Sequence, residues 1–243
     1  MIVVSGNENM ICMRKKIGEY RAVLFDVDGT LYDQGRLRLR MAVALMGEVL
    51  CHPGRIKELA VLMKYRYVRE HWERIRDSVG DTEFSGLCME EQQYLYVARK
   101  MKCSAEWVKD VIHDRMHVRP LHFLMRYRDD GLTALLYTLR RRSVITAAYS
   151  DYPAAEKLKA LDVDADYVFC SCDEAINVMK PAPEAMRKIL DILGMEPEEV
   201  LMIGDRYSKD GLAAKNAGMD FVILSKSMSA RNKLFRSLFK VIL

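Results

Sequence analysis

Hydrophobic residues follow two rhythms along this chain. Ala22–Phe25, Val144–Tyr149, Tyr167–Cys170, Val200–Ile203 and Phe221–Leu224 are short, nearly unbroken apolar runs, the pattern of strands buried on both faces of a parallel sheet. Between them lie segments with helical patterning. Leu132–Arg141 is one and Pro153–Leu161, with Pro in its first turn, is another. Pro183–Leu193 is stopped by Gly194 and Asp210–Ala217 by Gly218. Strands alternating with helices predict a parallel sheet joined by right-handed crossovers.

From Arg36 to about Arg128 the rhythm is helical throughout. Ile56, Leu59, Leu62, Met63, Val68, Trp72 and Ile75 recur at helical intervals, after a break at Pro53-Gly54. Gly80-Asp81 marks another break. Tyr94, Leu95, Val97 and Met101 give a further helix, and Ser104 caps one through Trp107, Val108 and Val111. The expected architecture is therefore α/β. A Rossmann-like three-layer core with a parallel sheet comprises residues 21–35 and 129–225, and residues 36–128 form an inserted helical module. Residues 1–20 read as an extension. Residues 226–243 read as a basic amphipathic tail striped by Leu234, Phe235, Leu238, Phe239 and Ile242, expected to dock on the core rather than on a membrane.

Composition narrows the class. Half of the 243 residues are hydrophobic and 30% are charged, as in ordinary globular proteins. No apolar stretch approaches the roughly 20 residues of a membrane span, so no stable membrane insertion is expected. Ile2-Val3-Val4 precedes Arg14-Lys15-Lys16 instead of following it, against the order of a secretory signal. The six cysteines form no CxxC pair, and Cys170-Ser171-Cys172 is too tight for a zinc knuckle, which predicts reduced thiols and a cytoplasmic location. The net charge of +4 carries its surplus in the helical module. That surplus reads as solvated helix faces rather than a nucleic-acid surface, although it would also attract small anions. The pattern leaves the oligomeric state open.

Candidate chemistry gathers at the strand ends. The first run closes on Asp26, Val27, Asp28, Gly29 and Thr30, the second on Ser150-Asp151, and the run Val200–Ile203 on Gly204-Asp205, with Asp210 five residues later. Lys180 lies in Met179-Lys180-Pro181, just before a helix. A two-residue offset places Asp26 and Asp28 on the same side, about 6–7 Å apart along the backbone. Ligands of open α/β sheets bind at such carboxyl ends. Carboxylates, a hydroxyl and a lysine together suit phosphoryl transfer and metal binding.

This order and spacing resembles the haloacid dehalogenase superfamily, specifically its Mg²⁺-dependent phosphatases. The resemblance covers roughly residues 21–225, and all four motifs of that superfamily can be placed. It implies that the helical module is a cap. It implies that Asp26 is the nucleophile, forming an aspartyl-phosphate, and that Asp28 is general acid and then base. The superfamily's dehalogenases lack an acid at the Asp28 position, which favours a phosphatase. Ser150 is expected to donate to a phosphoryl oxygen, with Thr146 a mid-strand competitor, and Lys180 to offset negative charge. Mg²⁺ would be held by Asp26, Asp205 and the backbone carbonyl of Asp28. Asp210 joins that group either by orienting the ligands or as an ordinary helix N-cap. The implied reaction is hydrolysis of a small phosphorylated metabolite. A phosphomutase, a phosphonate hydrolase and a catalytically idle binding protein are the alternatives, the last disfavoured by the intact set of five. His113 and His117, one helical turn apart around Asp114, lack the glutamate of a zinc-hydrolase helix and are set aside.

Overall fold

The computed structural model describes residues 9–79, 84 and 86–242, with side chains as far as Leu238. In chain order the elements are β1 (Met10–Cys12), β2 (Ala22–Asp26), α1 (Gln34–Cys51), α2 (Ile56–Glu70), α3 (Trp72–Val79), α4 (Met89–Met101), α5 (Ala105–Ile112) and α6 (Leu121–Leu124). They continue with α7 (Asp130–Arg141), β3 (Ile145–Ser150), α8 (Ala155–Ala160), β4 (Tyr167–Cys170), α9 (Pro183–Leu193), β5 (Val200–Gly204), α10 (Leu212–Asn216), β6 (Asp220–Ile223) and α11 (Met228–Ile242). The chain divides into two compact units, residues 1–35 with 124–243 and residues 36–123. The break expected at Gly80-Asp81 lies outside the described residues.

The first unit is an α/β, Rossmann-like core around one sheet of order β1-β6-β5-β2-β3-β4. Every residue of β2 and β5 is buried, which explains their unbroken apolar sequences. β2 pairs in parallel with β3, Asp26 opposite Tyr149, and with β5, Phe25 opposite Ile203. From β2 the chain moves outward to β3 and β4, then returns to β5 on the other side of β2. The carboxyl end of β2 is therefore the topological switch point, where such sheets form their crevice.

Two terminal segments belong to this unit more intimately than their sequences suggest. β1 pairs antiparallel with β6, so the sheet is mixed rather than wholly parallel, and residues 10–20 are structural. Asp220 fastens them: it accepts from the Arg14 N–H at 2.6 Å, from Arg14 Nε at 2.8 Å and from the Tyr20 hydroxyl at 2.5 Å. At the other end, α11 buries Leu234, Phe235 and Leu238 and packs on α7, where a Cβ at Gly131 would sit 2.7 Å from Phe235 Cδ2. Phe239 and Ile242 lie beyond the described side chains. Residues 124–128 also belong here, Arg128 bridging to Tyr32 and bonding the Leu161 carbonyl. The boundary thus falls five residues before the expected one.

The second unit is helical, with Val61, Tyr65, Val68, Val97, Val108 and Ile112 buried. Ser104 caps α5 by accepting from the Trp107 N–H. Buried Arg115, in a π-helical turn at His113–Val118, pairs with Glu48 at 2.7 Å and Glu58 at 2.6 Å. Among the described residues, no helix is long and apolar enough to cross a membrane.

Candidate active site

Asp26 is the last residue of β2 and Asp205 follows the last residue of β5, so the parallel register brings both carboxylates to one edge. Asp210 arrives from a π-helical turn, Tyr207–Gly211, of the kind that often re-aims side chains at functional sites. One carboxylate oxygen from each of the three lies within 4.8 Å of the others. Two glycines permit this crowding. Gly29 has φ +99° and a Cβ there would be 2.5 Å from Asp205 Oδ2, while a Cβ at Gly204 would be 2.4 Å from Asp210. Both positions need the missing side chain.

Lys180 runs into the cluster, its Nζ 2.5 Å from Asp26 Oδ1 and 2.7 Å from Asp210 Oδ1. Its own backbone is fixed on both sides. The Lys180 N–H donates to Asp151 Oδ1, and the Lys180 carbonyl accepts from Lys209 Nζ, both at 3.0 Å. Thr30 donates to Asp26 Oδ2 at 2.8 Å. Burial, reinforced by Asp210 and Asp205, pushes the Asp26 pKa up to about 8 even against the pull of Lys180. Burial and Asp210 also raise Asp205. For Lys180, burial would favour the neutral amine, but Asp210 and Asp26 outweigh it and hold the group well above its ordinary value. Asp210 accepts the Arg206 N–H on its other oxygen at 3.0 Å, so it is a turn-capping residue and a cluster member at once.

Asp28 sits in different company. Lys157 Nζ lies 2.6 and 2.8 Å from its two oxygens, Ser150 donates to it at 2.6 Å and Tyr32 also donates. Burial alone would raise its pKa, yet the Lys157 charge and the three hydrogen-bond donors hold it well below the usual carboxylate range. Ser150 is thus placed beside Asp28, its oxygen also accepting from the Tyr152 N–H at 3.0 Å. Thr146, its competitor, is tied to Asp166 through both its N–H and its hydroxyl, away from this group.

The structure therefore gathers Asp26, Lys180, Asp205 and Asp210 in one cluster and places Asp28 with Ser150 in a neighbouring one. Lys157, Lys209 and Arg231 are additions that the motifs did not single out, while Thr30 and Asp151, present in the strand-end runs, and Tyr32 just beyond them gain their contacts only from the fold. Arg231 of α11 donates to the Gly29 and Thr30 carbonyls at 2.9 and 3.2 Å and pairs with Asp129 at 3.1 Å. Lys157 lies in the first turn of α8, which follows the Ser150 strand, and only the fold shows that it faces the strand end.

The residues suit a hard divalent cation. A bound cation would draw all three clustered carboxylates into their ionised form, against the burial that raises Asp26 and Asp205. Three carboxylates beside one ammonium would then carry a formal excess of two negative charges to balance it. Asp205 Oδ1 is buried with no hydrogen-bond partner among the described residues, and Arg206 Nε stands 3.8 Å from it. Buried polar atoms are rarely left so.

A model of the haloacid dehalogenase-like hydrolases matches residues 20–218. The chain belongs to that family. Among relatives of this hydrolase, glyceraldehyde 3-phosphate phosphatase of Pyrococcus furiosus is 30% identical over 95 residues, 38% of this chain and 40% of that one. The pyrophosphatase PpaX of Bacillus cereus is 35% identical over 88 residues, 36% and 39% of the two chains. The matched stretches thus span about two fifths of these relatives' length. Among solved structures, the L-2-haloacid dehalogenase of Xanthobacter autotrophicus with chloropropionic acid covalently bound superposes with a TM-score of 0.55 at 18% identity, covering 83% of this chain and 76% of that one. YfnB of Bacillus subtilis, bound to magnesium, gives 0.53 at 16% identity, covering 84% and 86%. At such identities the likeness concerns the fold.

Proposed function

We propose that this hydrolase is a Mg²⁺-dependent phosphatase that cleaves a small phosphomonoester through an aspartyl-phosphate on Asp26. The observation that carries the reading is the pair of carboxylates on one strand end with opposite surroundings. Asp26 stands among Asp205, Asp210 and Lys180, and Asp28 among Lys157, Ser150 and Tyr32. The first setting suits a nucleophile that receives a phosphoryl group. The second suits a group that handles the leaving oxygen.

Asp26 attacks phosphorus, and the alkoxide departs with a proton that the Lys157 ammonium gives up through Asp28. Water then attacks the aspartyl-phosphate, its proton returning through Asp28 to Lys157, and Asp26 is regenerated. Lys180 supports Asp26 and offsets charge that grows during transfer. Ser150, by holding Asp28 and standing at the strand end, is placed to meet a phosphoryl oxygen. Asp26 and Asp205, with the Asp28 carbonyl and Asp210 behind, would hold Mg²⁺, which supplies charge neutralisation at the phosphoryl group. The helical unit selects the substrate. The six free thiols accord with a reducing cytoplasm.

A second reading concerns the leaving group. Lys157 holds both oxygens of Asp28, which favours substrates that depart without a full proton, such as a phosphoanhydride. One experiment addresses both readings: phosphate release from aryl phosphates of graded leaving-group strength and from pyrophosphate, with Mg²⁺ and with a chelator. Turnover of none of them in Mg²⁺ would overturn the phosphatase reading. A steep rise with leaving-group strength would select the anhydride.

A further inference from the structure

Helix α1 is apolar on two opposite sides. Leu37 and Leu45 are buried, whereas Leu39, Val43, Met46 and Leu50 are 50 to 79% exposed. At 3.6 residues per turn the exposed four fall within about 60° of one another, on the side away from Leu37 and Leu45. Their spacing of four, three and four residues is that of a coiled-coil seam. No charged residue occurs from Met41 to Gly47. α2 repeats the device: Ile56, Met63 and Tyr67 are 48 to 66% exposed, and exposed Ala60 fills the remaining place in the same spacing. A helix apolar on both sides is ordinarily covered on both, and contiguous exposed apolar patches mark interaction sites.

We propose that this face of α1 packs antiparallel against α1 of a second copy of the chain, forming a two-fold dimer. The stripe is self-complementary about its midpoint, between Val43 and Met46. Leu39 then meets Leu50 of the other copy and Val43 meets Met46, as an isologous contact requires. Charge selects the direction. Arg36, Arg38 and Arg40 crowd the first turns of α1, where cations oppose the helix dipole. An antiparallel neighbour brings its carbonyl-rich C-terminal end beside them, whereas a parallel one would set three arginines against three.

Sedimentation velocity on the full chain at micromolar concentration tests this, the expected species having twice the chain mass. The double variant V43E/M46E should sediment as a monomer with unchanged far-UV circular dichroism, because both side chains are exposed in the single chain, and its melting temperature should no longer rise with protein concentration as that of the wild type does. Direction is read by crosslinking. L39C and L50C, each on a C51S background, should form a disulfide between the two variants when mixed and little within either alone. A monomeric wild-type chain, a V43E/M46E chain that stays dimeric, or equal crosslinking within each variant would overturn the proposal. So would a monomer that floats with phosphatidylcholine–phosphatidylglycerol vesicles, which would assign the stripe to a bilayer.

Discussion

Two aspartates on one strand end would titrate nearly alike in water. Here burial beside Asp210 and Asp205 lifts Asp26 to about 8, and the Lys157 pair holds Asp28 low despite its burial. The proposed roles predict distinct failures. Asp26→Asn should abolish turnover with the melting curve unchanged, as the nucleophile is lost without loss of volume; residual steady-state activity above a trace would contradict the assignment. Lys157→Met should lower kcat by about 100-fold, the scale of a misplaced catalytic group, with KM little changed and partial recovery in Lys157→Arg. A KM effect alone would make Lys157 a binding residue. Gly29→Ala forces a side chain into a left-handed φ and onto Asp205, and should cost about 1–3 kcal/mol in urea unfolding while weakening metal affinity measured by calorimetry. The grouping of Asp26 with Asp205 was legible from their type and strand-end places, and that of Lys180 from its place in the ordered set of motifs, just before Pro181 and a helix. Lys157 was not, since a lysine in a helix's first turn reads as solvated until the fold shows what it faces.

At the scale of elements, the ends of the chain brace the centre. α11 reaches the loop after Asp26 through Arg231, which bonds two of its carbonyls and Asp129. Arg231→Met should cost about 3–5 kcal/mol, because Asp129 is left buried and unpaired; urea unfolding of the variant measures it. Asp166 anchors β3 from the opposite side. Its burial would raise its pKa, but the Thr146 N–H and hydroxyl, with Arg140, hold it below the ordinary value. A depressed folded pKa gives stability that is present above about pH 4 and lost as pH falls through the folded value. Asp166→Asn should therefore lower the neutral plateau of a stability–pH profile and flatten its acid limb, with little change below the folded pKa. β2 and β5 could be read from sequence because both their faces are buried. β1 could not, because Met-Ile-Cys is too short to display a period and is defined by its pairing with β6.

At the scale of the molecule, the helical unit is inserted between β2 and β3, leaving the carboxylates on strands it does not contribute to. If it selects the substrate, exchanging residues 36–123 for the insert of a related hydrolase should reorder activity across a panel of phosphorylated metabolites while dependence on Asp26 and Mg²⁺ persists. An unchanged ranking would place selection in the α/β unit. The existence of this insert was legible from its helical rhythm. Its second boundary was not, because Arg128 reads as helix surface and is claimed by Tyr32 and Leu161 only through tertiary contact.

The neighbours of β2 also set a timetable for birth on the ribosome. Both strands that flank it, β3 and β5, lie beyond the insert. Roughly 120 residues must be made before the first can pair, several seconds at about 5–20 residues per second. Through that interval the helical unit can gather its own buried residues while Ala22–Phe25 waits as a bare apolar ribbon. The strand that ends on Asp26 thus needs shielding by a chaperone during synthesis, and slowing translation after residue 123 should lengthen its exposure and raise the aggregated fraction.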